Sequence, residues 1–258
     1  MSRMPDKQST NLATSTTDDV YIRSRSLCRE LIGKLSFTEM AYFLILGRPP
    51  SPGECKLVDA CLVTLMEHGL TPSAINARLT YSSAPEALQA AVASGLLGVG
   101  SVFAGTMEGC GALLFRMVDS DEDLQAHARS IAEEHRAQRR PIPGFGHPQH
   151  KPDDPRAQVL LGLAKAEGFD GRYVKALLAL SSAIDQVYGK HITINATGAI
   201  AAILAEVGVP HDIMRGFALI SRCAGLVAHL HEEQEKPAME AIWRAAEQAV
   251  TYQDGPER

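Results

Sequence analysis

The sequence lacks an excess of positive charge. Its 258 residues contain 25 Lys and Arg against 30 Asp and Glu, which gives a formal net charge of -5 at pH 7. A chain without a basic field is not drawn to nucleic acid or to anionic membranes. We therefore expect no nucleic-acid partner and no membrane partner, and only a local basic patch remains open for a small phosphate-bearing ligand.

Cysteines are few, and no CxxC pair occurs. Their odd number and scattered positions are typical of reduced thiols rather than of a disulfide framework or a structural zinc site. This usage predicts a cytoplasmic protein. The five residues are Cys28, Cys55, Cys61, Cys110 and Cys223.

An apolar run long enough to cross a bilayer is also missing. The longest run, at 196–209, is interrupted by Gly198 and Glu206, and it is shorter than the roughly 20 residues that a membrane helix needs. Residues 1–18 are polar and have no apolar core, so we expect a flexible tail there rather than a secretory signal or an anchor.

Alternating patterns typical of β-strands are hard to find, whereas apolar residues recur at helical spacing along nearly the whole chain. This spacing predicts a first helix over 20–35, and S-x-x-E patterns at 36–39 and 51–54 predict the starts of two more. We expect an all-α protein, built as one large domain or as a body with an insert.

Signatures of common enzyme classes are missing as well. The sequence has no GxSxG nucleophile elbow and no GxGxxG or GxxxxGK[ST] nucleotide loop. Its most unusual segment is RRPIPGFGHPQHKPDDPR at 139–156, whose prolines prevent a continuous helix. In this segment Gly144 and Gly146 allow backbone N–H groups to come close to a ligand.

The same segment holds the densest set of titratable and cationic side chains, namely His147, His150, Lys151 and Arg156. Such a set suits a phosphate or carboxylate ligand, although a solvated surface loop has the same composition. The spacing of His147 and His150 resembles that of metal ligands, but Pro148 excludes a helical pair and no acidic partner is arranged around them. We expect no metal.

Residues 143–157, PGFGHPQHKPDDPRA, resemble the GxGHxxxxxxDPR signature of the citrate synthase superfamily. In the same order, HGLTPSA at 68–74 resembles the family's histidine-containing turn, and ISRCAG at 220–225 resembles its SRxxG segment. At 100–105, GSVFAG resembles the FGG element of citryl-CoA lyases and of the lyase module of ATP-citrate lyase more than the GxLHG of the synthases. The resemblance extends over about 21–239.

The resemblance implies a citrate-synthase-like helical fold. Residues 19–107 and 209–258 would form a large domain, and 108–208 would form a smaller inserted helical domain, with the active cleft between them. It also implies a homodimer in which a second subunit completes the substrate site.

For the substrate, the resemblance implies an oxaloacetate or citrate site made by His68, His147, Arg156 and Arg222. Planar guanidinium groups suit carboxylates, and a histidine at the substrate hydroxyl can accept its proton during cleavage. His147 is the candidate for that role.

For the cofactor, the resemblance implies coenzyme A as a thioester co-substrate and no metal. The backbone of 141–146 would wrap the adenine, and Lys151, with Arg139 or Arg140 as weaker candidates, would reach the phosphates. The residues assigned to coenzyme A are Pro143, Gly144, Phe145, Gly146 and Lys151.

Three positions depart from the family pattern. Phe103 stands where the synthases have the histidine that stabilises the thioester enolate, and it has no hydrogen-bond donor; the lyase branch shares this phenylalanine. TINATG at 193–198 resembles the family's NxDG, with Asn195 kept and Thr197 in place of the catalytic Asp. Lys236 replaces the arginine of the ERP segment that crosses the dimer interface, which keeps the charge and loses the fork geometry.

The sequence leaves two functions open. The first is a citryl-CoA lyase-like enzyme that cleaves citryl-CoA, or a related 3-hydroxyacyl-CoA, into acetyl-CoA and oxaloacetate. The second is a catalytically degenerate homologue that binds CoA or CoA esters as a regulatory or partner subunit. Thr197 separates them, because a threonine cannot act as a carboxylate base near neutral pH, so that another group such as Glu108 would have to replace it.

Overall fold

The computed structural model describes residues 9–103 and 105–253. Three short strands come first, and helices make up most of the remaining chain, which confirms the all-α prediction for the body of the protein. The strands are β1 (Ala13–Ser15), β2 (Val20–Ile22) and β3 (Arg25–Ser26), followed by a π-helical turn at Leu27–Leu31. The helices are α1 (Phe37–Leu46), α2 (Pro52–Met66), α3 (Pro72–Ser83), α4 (Leu88–Leu97), α5 (Thr106–Val118), α6 (Leu124–Ala137), α7 (Pro155–Ala166), α8 (Arg172–Tyr188), α9 (Ala196–Glu206), α10 (Met214–Glu235) and α11 (Met239–Ala249), with a 3₁₀ turn at His211–Ile213.

The small sheet replaces the helix predicted over 20–35, so that prediction is wrong. Arg23 and Ser24 have φ angles of 45° and 66°, and this left-handed turn folds β3 back against β2 in antiparallel pairing. The β-branched residues of β2 favour the strand. The spacing of apolar residues could not predict this turn, because the turn depends on the backbone dihedral angles of Arg23 and Ser24.

The sheet also includes part of the predicted flexible tail. Ala13 pairs with Ile22 across β1 and β2, so an ordered strand lies within 1–18. Residues 1–8 lie outside the described residues.

The two S-x-x-E patterns are confirmed as helix starts. Ser36 accepts a hydrogen bond from the backbone N–H of Glu39, whose side chain accepts one from the backbone of Ser36 in return. Ser51 and Glu54 form the same capping box at the start of α2.

Helix α9 is the centre of the main core. Every residue from 199 to 204 is fully buried, as expected for a helix that is apolar on all sides. Helices α2, α5, α7 and α8 contact it. Its N-terminal cap is Asn195, so the core helix begins at the predicted substrate-binding segment.

The main core crosses the predicted domain boundaries. Leu57 of α2 and Phe217 of α10 belong to the same buried cluster as Ile200 of α9, and a second, smaller cluster joins α3, α4 and α10. The division into a large domain and an inserted one stays a prediction.

Helix α10 with its preceding turn, His211–Glu235, is long and apolar enough to cross a membrane by length and composition alone. Half of its most apolar stretch is buried inside the protein, which is a common property of core helices. Arg222 lies on this helix and is only 6% exposed. The helix therefore brings a charged side chain into the interior.

Candidate functional site

His68 lies in the turn between α2 and α3. The Oε1 atom of Glu67 accepts hydrogen bonds from the backbone N–H groups of His68, at 2.8 Å, and of Gly69, at 2.6 Å. Gly69 has a φ of 72°, a conformation that glycine adopts without strain. Glu67 and Gly69 together fix the backbone that carries the His68 ring.

His147 is oriented by its own loop. Its Nδ1 atom accepts hydrogen bonds from the backbone N–H groups of Gln149, at 3.2 Å, and of His150, at 3.0 Å. A neutral imidazole has one accepting nitrogen, so Nε2 carries the proton. Nη2 of Arg156 lies 3.3 Å from that Nε2, which places two donors side by side and suits a ligand oxygen between them.

The guanidinium of Arg156 is fixed by Asp154. Nε and Nη2 of Arg156 donate to the two carboxylate oxygens at 3.0 and 2.8 Å, and the backbone N–H of Ala196 donates to the same carboxylate at 3.0 Å. Burial raises the pKa of Asp154, but the hydrogen bonds and charge of Arg156 outweigh burial and hold it below its ordinary value. The ionised Asp154 therefore joins α7 to the N-terminal end of α9.

Three histidines meet at this point. The rings of His147 and His150 stack with centroids 4.3 Å apart, and the ring of His68 lies 5.9 Å from that of His147 and 6.1 Å from that of His150. The family resemblance placed His68 and His147 in one site, but it did not assign His150 to that site.

One nitrogen from each ring can be chosen so that all three lie within 4.8 Å of one another, an arrangement that can hold a transition metal. Two features favour an anion instead. Nδ1 of His147 is already occupied by two backbone donors, and the positive charge of Arg156 lies against Nε2.

The imidazoles of His68 and His147 are neutral at pH 7. Burial lowers the pKa of each, and electrostatic interactions with Arg156 and His150 lower both further. Neutral rings can donate one N–H each to a ligand oxygen.

Arg222 is the most unusual group of the site. Its Nε and Nη1 atoms are buried and have no hydrogen-bond partner among the residues that the structure describes. Burial lowers the pKa of Arg222, and the charge of Glu67 opposes that effect. Its charge in turn lowers the pKa of His68, so it acts on the same pocket. Because a buried charge without a partner costs several kcal/mol, the arrangement calls for an anionic ligand.

Asn195 and Thr197 form a hydrogen-bonded chain at the N-terminal end of α9. Thr197 Oγ1 donates to Asn195 Oδ1 at 2.7 Å, so the proton in its 2.5 Å contact with Thr106 comes from the Thr106 hydroxyl. Asn195 Nδ2 donates to the carbonyl oxygen of Gly146 at 2.9 Å. The chain is satisfied and contains no carboxylate.

The family model for the citrate synthase C-terminal domain matches residues 20–246. The chain belongs to the citrate synthase family. Among curated relatives, a citrate synthase of Synechocystis sp. is 27% identical over 78% of this chain and 50% of its own length. A putative citrate synthase 2 of Mycobacterium tuberculosis is 29% identical over 72% of this chain and 49% of its own length. The chain thus spans about half the length of these curated relatives.

Solved structures of the family include one of nearly the same extent. A citryl-CoA lyase from Hydrogenobacter thermophilus is 32% identical, with a TM-score of 0.87 over 97% of this chain and 96% of its own. An ATP citrate lyase from Methanosaeta concilii, in complex with (3S)-citryl-CoA, is 18% identical, with a TM-score of 0.79 over 99% of this chain and 43% of its own. The citrate-synthase-like fold is thereby confirmed, and the family and its lyase members support a lyase or synthase enzyme.

Backbone hydrogen bonds hold the family's glycine-rich loop against the segment that precedes α9. The N–H of Gly146 donates to Thr193 at 2.8 Å, and the N–H of Phe145 donates to Ile142 at 3.2 Å. A Cβ on Gly144 would lie 2.6 Å from the sulfur of Cys110. Gly144 thus allows close packing against α5 and α9. The amides of Phe145 and Gly146 are bonded within the protein and do not face a ligand.

A cleft of about 540 Å³ lies beside this loop. Three arginines and two aromatic rings are among its lining residues, a composition that suits a phosphorylated ligand with a planar base. From the sequence, Arg139 and Arg140 were only weaker candidates, and Arg136 was missed. The position of Arg136 in the last turn of α6, just before this loop, could have identified it. The lining is Arg136, Arg139, Arg140, Pro141, Ile142, Phe145, Ile184, Tyr188 and Ile192.

Three other predicted residues lie apart from the histidine cluster or serve elsewhere. Lys151 is exposed and is not among the residues that line the cleft. Lys236 caps the C-terminal end of α10, about 21 Å along the helix from Arg222. Glu108 forms an ion pair with Arg215 at 2.7 Å, so it is held by a partner rather than free to replace the missing Asp.

Phe103 is 61% exposed, in the turn that precedes α5. The backbone N–H of Gly100 donates to its carbonyl oxygen at 3.0 Å. The residue that follows Phe103 lies outside the described residues.

Sequence reasoning missed a buried network behind His68. Arg78 is 3% exposed at its side chain and donates to Glu233 at 2.7 Å and to Nδ1 of His229 at 3.0 Å. Nε2 of His229 lies 2.9 Å from Glu67 Oε2. These contacts connect α3 and α10 to the turn that holds His68.

We expect Arg78→Met to lower the free energy of unfolding by about 3–5 kcal/mol, because it leaves Glu233 buried at 2% exposure with a charge and no cation. Urea denaturation measures this change. The control is Arg129→Met, which removes an exposed pair with Glu133 and is expected to cost well under 1 kcal/mol. Equal, small losses in both variants would contradict the network.

Proposed function

We propose that this protein is a lyase that cleaves citryl-CoA, or a related 3-hydroxyacyl-CoA, into acetyl-CoA and oxaloacetate. The observation that carries the proposal is the buried guanidinium of Arg222, whose donors lack a partner within the described chain. The charge of Arg222 acts on His68, whose ring lies 5.9 Å from that of His147. The fixed guanidinium of Arg156 lies beside His147. The match to a citryl-CoA lyase over 96% of that chain supports the reaction class.

Arg156 and Arg222 are assigned to one carboxylate of the substrate, with His68 as a further donor. Asp154 holds the Arg156 fork in place before a ligand arrives, so little side-chain entropy is lost on binding. Asn195 keeps the loop of His147 close to α9 through the carbonyl of Gly146.

His147 is assigned to donation at the carbinol oxygen. Cleavage breaks the bond from the carbinol carbon to the thioester methylene carbon, and the electron pair moves to the thioester enolate while the hydroxyl becomes a ketone and loses its proton. The expectation that His147 accepts this proton conflicts with its hydrogen bonds, since Nδ1 already accepts two and Nε2 carries a proton. The Nε2–H group of His147 instead stabilises negative charge on the carbinol oxygen. The hydroxyl proton leaves to solvent water in the histidine pocket.

We expect the acidic limb of kcat/KM for citryl-CoA cleavage, which reports the free enzyme, to lie below pH 6.5. Protonation of Nδ1 would break the two backbone hydrogen bonds that orient His147. Because its pKa is lowered from the ordinary 6.5, the neutral ring persists below that pH and is lost only as the pH falls through the lowered value. A pH–rate profile with its acidic limb above 6.5 would contradict a neutral His147.

The enolate carbon must gain a proton, for which solvent water is the source, to become the methyl group of acetyl-CoA. No carboxylate stands at Thr197, and Glu108 is paired with Arg215. This observation favours the second candidate, a degenerate homologue that binds CoA or CoA esters without turnover as a regulatory or partner subunit.

We expect Thr197→Asp to raise citryl-CoA cleavage about tenfold, less than the 10²–10⁴ of a fully positioned acid–base group. The new carboxylate would lie at the N-terminal end of α9, which stabilises negative charge, and the Thr106 hydroxyl could donate to it. The control is Thr197→Asn, which has the same shape without the charge. Slower cleavage by Thr197→Asp than by the wild type would assign Thr197 to a different working mechanism. Binding without cleavage in both proteins would support the degenerate homologue.

Coenzyme A is the proposed co-substrate. An ATP citrate lyase from Methanothrix soehngenii has been solved in complex with citrate and coenzyme A, and a citrate synthase from Thermoplasma acidophilum has been solved with carboxymethyl coenzyme A. In this chain the cleft beside Phe145 would hold the adenine, with Arg136, Arg139 and Arg140 at the phosphates. These arginines replace Lys151 as the preferred phosphate ligands.

A homodimer is proposed from the position of Lys236. The roughly 21 Å between Lys236 and Arg222 along one helix separates the two ends of a substrate site, so Lys236 could serve a carboxylate only in a second subunit. The ammonium would contribute charge at that carboxylate without the bidentate geometry of an arginine.

A further inference from the structure

His150 lies at an unspecified position of the family signature, yet the structure brings it into the pocket. Its ring stacks on His147 at 4.3 Å with the planes 28° apart, and its backbone N–H donates to His147 Nδ1 at 3.0 Å. The stacking orients the ring, and the hydrogen bond fixes the backbone that carries it.

The Nε2 atom of His150 is buried and has no hydrogen-bond partner within the described residues. Buried polar groups in native proteins are paired, so an unpaired one calls for an explanation. A ligand that binds in the pocket would supply the missing partner.

The surroundings of His150 select the chemistry of that ligand. Arg156 lies beside the stacked His147, and the charge of Arg222 reaches His68. The neighbouring carboxylate, Asp154, is fully buried and is already bound by Arg156 and Ala196. An anionic oxygen fits this set of donors, and a cation does not.

We propose that His150 is a specificity-determining residue whose Nε2–H binds a second carboxylate of the substrate. This inference rests on the proposed function. The citryl group of citryl-CoA has two free carboxylates, and the two arginines with His68 can hold one of them. Lys236 lacks the bidentate geometry of an arginine, so His150 would supply a further donor to the second carboxylate. This contact would favour citryl-CoA over a thioester without that carboxylate.

Citramalyl-CoA is the matched probe, because it carries a methyl group where citryl-CoA carries the second carboxymethyl group. We expect the wild type to prefer citryl-CoA by at least about 100-fold in kcat/KM, in line with one charge-assisted hydrogen bond and its lost partner. His150→Phe keeps the stacked ring and removes the donor. It should reduce that preference at least tenfold through KM for citryl-CoA and leave citramalyl-CoA kinetics within about twofold.

His150→Gln restores an N–H donor near the same place and should recover most of the preference, and it also serves if the Phe variant fails to fold. His231→Phe is the control, since His231 is 72% exposed at its side chain on α10. Equal losses on both thioesters in His150→Phe, or an unchanged preference, would overturn the role of His150 alone. A wild type that cleaves neither thioester would overturn the proposed function and this inference with it.

Discussion

Replacing His147 with alanine is expected to lower citryl-CoA cleavage by about two to three orders of magnitude, the usual cost of losing one preorganised donor at a developing oxyanion. Affinity for CoA should change little, because His147 is not among the residues that line the arginine-rich cleft. Stopped-flow cleavage assays and calorimetry with CoA measure the two quantities separately.

His147→Gln distinguishes donation from proton acceptance. The glutamine amide has an N–H that can donate to the carbinol oxygen, but it cannot act as a base. We expect this variant to retain about tenfold more activity than His147→Ala. Equal activities in the two variants would contradict the donor role, and an alanine variant as fast as the wild type would remove His147 from the mechanism.

Replacing Arg222 with methionine is expected to have the largest effect on substrate binding. The loss of one member of a buried, hydrogen-bonded charge pair costs about 2–5 kcal/mol, which corresponds to a fall of about 30- to 5,000-fold in affinity for citrate. In the free protein, by contrast, the substitution is expected to raise the free energy of unfolding. Methionine removes a buried guanidinium whose Nε and Nη1 lack partners in the described chain, so the unliganded variant should be more stable than the wild type.

Urea denaturation with and without citrate measures both effects. Citrate at about 100 times its wild-type Kd should stabilise the wild type by about 2.7 kcal/mol and Arg222→Met by less than about 1 kcal/mol. Arg116→Met is the control, since Arg116 is half exposed and 3.8 Å from Glu134. A variant that binds citrate as the wild type does would contradict the assignment of Arg222 to the substrate.

Local sequence signals made the helix starts predictable. The N-terminal sheet was missed because its turn has no such signal. The capping boxes at Ser36 and Ser51 are contained within four residues each, so the sequence states them directly. The sheet depends on left-handed backbone conformations at Arg23 and Ser24, and neither arginine nor serine favours that conformation.

The candidate site was predictable only in part. Family motifs supplied His68, His147, Arg156 and Arg222, and the structure brings the first three together. The motifs could not show which hydrogen bonds each group already makes. Some of these bonds join residues far apart in the chain, as for the amide of Gly146, which donates to the carbonyl oxygen of Thr193.

The most direct test of the central claim is quenched-time mass spectrometry of the wild-type protein with citryl-CoA. If the pocket of Arg222 and His147 performs retro-Claisen cleavage, citryl-CoA is lost while acetyl-CoA and oxaloacetate accumulate in equal amounts, and His147→Ala slows both products together. Intact citryl-CoA throughout the time course, at protein concentrations that bind it fully, would contradict the account and leave a CoA-binding homologue without turnover. Release of citrate and free CoA would contradict it too, because hydrolysis of the thioester is a different reaction.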